Sequence, residues 1–79
     1  MPLVKKLACV IVFDSATAAM EAESYLPARG LPGRIIPIPE QISAGCGLSW
    51  KAEPEDKDRI VKALDEAGIK YAGVYVLKI

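Results

Sequence analysis

Arg34-Ile-Ile-Pro-Ile38 and Leu48-Ser-Trp-Lys-Ala52, joined by Pro39-Glu-Gln-Ile-Ser-Ala-Gly-Cys-Gly47, decide the fold. Each flank is short and reads as a strand, and no helical period separates them. Working backward, Ala18, Ala19, Ala22 and Leu26 share one side of a helix predicted from about Ala16 to Leu26. Asp14, Ser15 and Thr17 are its candidate caps, and Pro27 and Gly30 mark its end. Working forward, Pro54 fits the first turn of a second helix with Glu53, Glu55 and Asp56 at its positive end. Its stripe is Ile60, Val61, Leu64 and Ala67, closed by Gly68. The outermost segments, Lys6 to Phe13 and Tyr71 to Leu77, complete an order β-α-β-β-α-β. An internal echo supports it, with Leu26-x-x-x-Gly30-Leu31 matching Leu64-x-x-x-Gly68-Ile69. The expectation is an α+β, ferredoxin-like sandwich with one four-stranded antiparallel sheet and both helices on one face.

The bulk properties narrow the function. Seventy-nine residues make one domain, residues 1–79, at the small end of what one core stabilises. Ten basic side chains balance ten acidic ones, which argues against a nucleic-acid surface. No apolar run is long enough to span a bilayer or shaped like a signal peptide, so a cytoplasmic protein with no membrane partner is expected. Histidine is absent, which removes the commonest general base and metal ligand. Cys9 and Cys46 match neither a zinc pattern nor a Cys-x-x-Cys pair, so neither a metal nor a cofactor is expected.

Cys46 is the centre of interest. Pro37 and Pro39 stiffen the approach to it, while Gly45 and Gly47 allow unusual backbone angles and leave the sulfur uncrowded. With strand order 4-1-3-2, the start of the third strand lies at the end of the sheet where the first strand finishes and the first helix begins. Cys46 is thereby expected near Ser15 and Thr17, at a helix N-terminus whose dipole lowers a thiol pKa. Both hydroxyls are candidates to donate to the sulfur or to a bound anion, and Asp14 is expected to cap the helix. Cys9, about four residues back along its strand and so roughly 13 Å away, reads as a small buried hydrophobe. Trp50 and Leu48 read as facing the core. Tyr71 and Tyr75 are predicted on one face of the last strand, and apolar groups on a helix-free sheet face would favour a homodimer or a partner protein. Lys5, Lys6 and Arg34 read as solvated charges.

Phe13-x-Ser15-x-Thr17, Ala22-Glu23, Pro37-x-Pro39 and above all Ile42-Ser43-Ala44-Gly45-Cys46-Gly47-Leu48 carry a resemblance covering nearly the whole chain. The sequence resembles the bacterial selenium/sulfur carrier protein-like family, formerly a domain of unknown function. The resemblance implies a ferredoxin-like fold and a sulfur- or selenium-carrying role for Cys46, framed by Gly45 and Gly47, with Ser43 as a further binding candidate. It also implies a donor such as a cysteine desulfurase or selenocysteine lyase, and an acceptor enzyme. The chain departs from the family where an arginine often follows the second proline; here it is Glu40, which alters any contact that the arginine makes with an anionic substrate or partner. The function expected is thus a carrier or accessory protein rather than an independent enzyme, with Cys46 as persulfide or selenopersulfide acceptor. The alternatives are a small-molecule-binding or regulatory dimerisation module without chemistry, and a thiol redox sensor that uses an external thiol.

Overall fold

The structure, a computed structural model, describes residues 6–39, 41–42 and 47–78. Its elements are β1 (Leu7–Phe13), α1 (Ala16–Ala28), β2 (Arg34–Pro37), β3 (Leu48–Ala52), a 3-10 turn (Pro54–Asp56), α2 (Lys57–Ala67) and β4 (Tyr71–Lys78). The four strands form one antiparallel sheet in the order β2-β3-β1-β4, the ferredoxin-like arrangement expected from the sequence. Strand β1 is central, and all its residues from Ala8 to Phe13 are buried.

Alternation along β1 sends Cys9, Ile11 and Phe13 toward the helices. There they meet Ala18, Ala19, Ala22 and Leu26 of α1, Ile60, Ala63 and Leu64 of α2, and Trp50 of β3. The four residues assigned to the inner side of α1 are its buried ones. The stripe of α2 differs in detail: Ala63 is buried with Ile60 and Leu64, Val61 is half-buried and Ala67 is exposed.

Two further expectations change. Helix α1 runs through Pro27 to Ala28. Proline lacks an N–H, but in a last turn that removes a single ladder bond. The end is instead closed by Arg29 N–H on the Tyr25 and Leu26 carbonyls, Gly30 N–H on Pro27 O and Leu31 N–H on Leu26 O, with Gly30 at φ 71°. In β4, the register against β1 shifts between Val12 and Phe13, so Gly73 pairs with Val12 but Tyr71 pairs with Phe13. That irregularity puts Tyr71 and Tyr75 on opposite faces. Tyr71 packs at the edge of the helix-side core and donates to Asp65 Oδ1 at 3.0 Å.

The face without helices is not bare. Val10 and Val12 are fully buried there, packed with Ile42, Ile38 and Leu77. The segment leaving β2 folds back across the sheet and covers the middle of that face.

Candidate functional site: the loop between β2 and β3

The loop springs from a firm base. Pro37 pairs with Leu48, and Ile38 N–H donates to Gly47 O at 3.1 Å, so the loop opens and closes at one point. Gly47 has φ +98°, an angle that L side chains resist, while the space where a Cβ would stand is open. Its glycine serves the backbone angle and leaves room beside the chain.

Beyond Ile38 the chain is tied twice more. Ile42 N–H donates to Pro39 O at 2.9 Å, forming a turn that delivers the Ile42 side chain onto Val10 and Val12. Gln41 Nε2 donates to Lys78 O at 3.3 Å, reaching the far edge strand. Sequence reasoning missed this strap. Its signal was the pair Ile38 and Ile42: two large aliphatic residues, four apart, one ending the predicted second strand and one in the segment read as loop.

Ser43, Gly45 and Cys46, with Glu40, lie outside the described residues. The neighbours expected for Cys46 can be placed. Val12 pairs with Ser49 and Cys9 with Ala52, so β3 starts at the end of the sheet where β1 finishes and α1 begins. Ser15 and Thr17 at the start of α1 and Gly47 at the start of β3 share that end. Ser15 is the N-cap, its Oγ accepting from Ala18 N–H at 3.1 Å, and Asp14, expected to cap, is exposed instead. A cap of this kind still leaves the hydroxyl proton free for another acceptor. No acidic side chain occupies the first turn of α1, so nothing in that turn offsets its positive end. Thr17 is exposed and lines a groove with Met20, Ser24 and Ile69, on the helix side.

Cys9 sits in the core at the opposite end of β1, paired with Ala52 and Val76 and fully buried. Burial pushes its thiol pKa up, against a smaller pull downward from the Lys57 charge. A protonated, enclosed thiol is a poor nucleophile.

Among the described residues no cluster of His, Cys, Asp or Glu could hold a metal ion. Among them, too, no helix is long and apolar enough to cross a membrane. No curated protein and no solved structure matches the chain. A family model does, over residues 8–76, a span that takes in all or most of every strand, both helices and the Cys46 loop. The chain belongs to the family described as "Putative Se/S carrier protein-like".

Proposed function

We propose that this protein carries sulfur or selenium on Cys46 in the cytoplasm, between a donor such as a cysteine desulfurase or selenocysteine lyase and an acceptor enzyme. The observation that carries the reading is the family match across residues 8–76, which includes the Ser43-Ala44-Gly45-Cys46-Gly47 motif. In the sulfur case, the Cys46 thiolate attacks the outer sulfur of a donor persulfide. A new S–S bond forms on Cys46, the donor's own sulfur leaves as a thiolate, and the oxidation level is only redistributed. The step needs an exposed thiolate and no histidine in the carrier.

Two features support this assignment over a role for the other thiol. Cys9 is enclosed and held protonated by burial. The chain's second and last cysteine is in the loop whose two feet, Ile38 and Gly47, are joined by a hydrogen bond at the end of the sheet where α1 begins.

The test is intact-protein mass spectrometry after incubation with a cysteine desulfurase and cysteine. The wild type is expected to gain one sulfur, lost on reduction, and Cys46→Ser to gain none while Cys9→Ala still does. No gain on the wild type, with Cys46 titrating as an ordinary thiol, would leave a binding module as the better account.

A further inference from the structure

At the end of the sheet where β1 begins, a cavity of about 400 Å³ is lined by Lys6, Arg34 and Lys51, with Pro32, Gly33 and Glu53. The chain as a whole is neutral, so three cations around one opening, against one carboxylate, is a local excess. Arg34 and Lys51 are directly opposite each other across β2 and β3. Like charges at such a pair oppose sheet formation. Among the described residues neither is ion-paired, nor is Lys6. Their repulsion is relieved when an anion sits between them.

The wall behind these charges is fixed before any ligand arrives. The Trp50 indole N–H donates to Pro32 O at 3.2 Å, and Trp50 is itself buried. Gly33 takes φ +128° and lies so close to Trp50 and to the Lys51 carbonyl that a Cβ would overlap both. The turn leading to Arg34 is therefore clamped against β3, and Arg34 and Lys51 project from a rigid base. A backbone already fixed spares that part of the ordering cost on binding.

We propose that this cavity binds a small, multiply charged oxyanion of the phosphate class, carried free or on a small metabolite. Its volume falls at the low end for small-ligand sites, which favours such a ligand over a polypeptide. The proposed site rests on residues outside the Cys46 loop and stands whether or not Cys46 carries sulfur.

The chain's one tryptophan reports on the wall. In a 15N-labelled full-length protein, inorganic phosphate titrated at constant ionic strength is expected to move the Trp50 indole N–H and the Gly33, Arg34 and Lys51 amides along one saturable curve. Arg34→Gln and Lys51→Gln should each weaken that binding about tenfold, the loss of one charge-assisted hydrogen bond. Lys62→Gln, on α2, should leave it unchanged. The same spectra show whether each variant is folded, and Lys6→Gln provides a further member of the cluster. A linear, non-saturating response, or equal binding by all variants, overturns the proposal. So does saturable binding of an oligoglutamate peptide at these residues without binding of phosphate, which would make the patch a docking site for acidic protein segments.

Discussion

Gly33 shows how a single missing side chain fixes its surroundings. Its φ of +128° is unfavourable for any L residue, and the place of a Cβ is taken by the Trp50 ring and the Lys51 carbonyl. Relief would require Trp50 to move, which breaks its bond to Pro32 O and disturbs the largest fully buried side chain. Gly33→Ala should therefore cost about 2–4 kcal/mol, combining overpacking with backbone strain. The check is a chemical denaturation curve read by Trp50 fluorescence, with the folded-state emission shifted to the red as the indole loosens. Gly30→Ala supplies the contrast, since Gly30 also has a positive φ but open space around it. A Gly33→Ala cost no greater than that of Gly30→Ala would show that the close approach carries no energy of its own.

At the level of elements, the strap formed by residues 38, 39, 41 and 42 determines what the open face of the sheet offers. Ile42 covers Val10 and Val12, and Gln41 ties the strap to β4 through Lys78 O. Ile42→Ala should destabilise the protein by about 2 kcal/mol, the low end for such truncations because the cluster is shallow. It should also raise binding of a hydrophobic dye, since Val10 and Val12 lose their cover. An unchanged dye signal together with unchanged stability would mean that the strap does not hold the face. The sequence made the elements legible because their signals are local: the capped start at Ser15, the glycine ends at Gly30 and Gly68, and the run from Ala8 to Phe13. What it hid was long-range. The strap depends on contacts between Ile42 and a strand some thirty residues earlier, and the opposite facing of Tyr71 and Tyr75 depends on a register shift against Phe13. The cysteine loop was legible as a motif, whereas the cluster of Lys6, Arg34 and Lys51 draws on three separate strands or their approaches and has no signature along the chain.

For the whole molecule, stability should fall as the solution becomes alkaline, because the folded state holds two protons more tightly than the unfolded chain. Burial raises the Cys9 thiol pKa in the folded protein. The Tyr71 phenol is raised as well, first because it donates a hydrogen bond to Asp65, then by burial and the Asp65 charge. For an acid whose folded pKa exceeds its unfolded one, the contribution is fully present below the unfolded pKa and is lost as pH climbs through the folded value. Unfolded cysteine and tyrosine ionise near about 8.5 and 10, so the melting temperature should decline first from about pH 8.5 and more steeply from about pH 10. The clean background is Cys46→Ser, which takes the loop thiol out of the titration. In that background, Cys9→Ala should flatten the first stage and Tyr71→Phe the second, each at the expense of some stability at neutral pH. A melting temperature that stays level to pH 10.5 in the parent would mean that Cys9 ionises as freely inside the sheet as in water. The same burial that gives Cys9 its alkaline sensitivity keeps it out of reach of reagents in solution, so the slope of this curve measures how completely the sheet encloses that thiol.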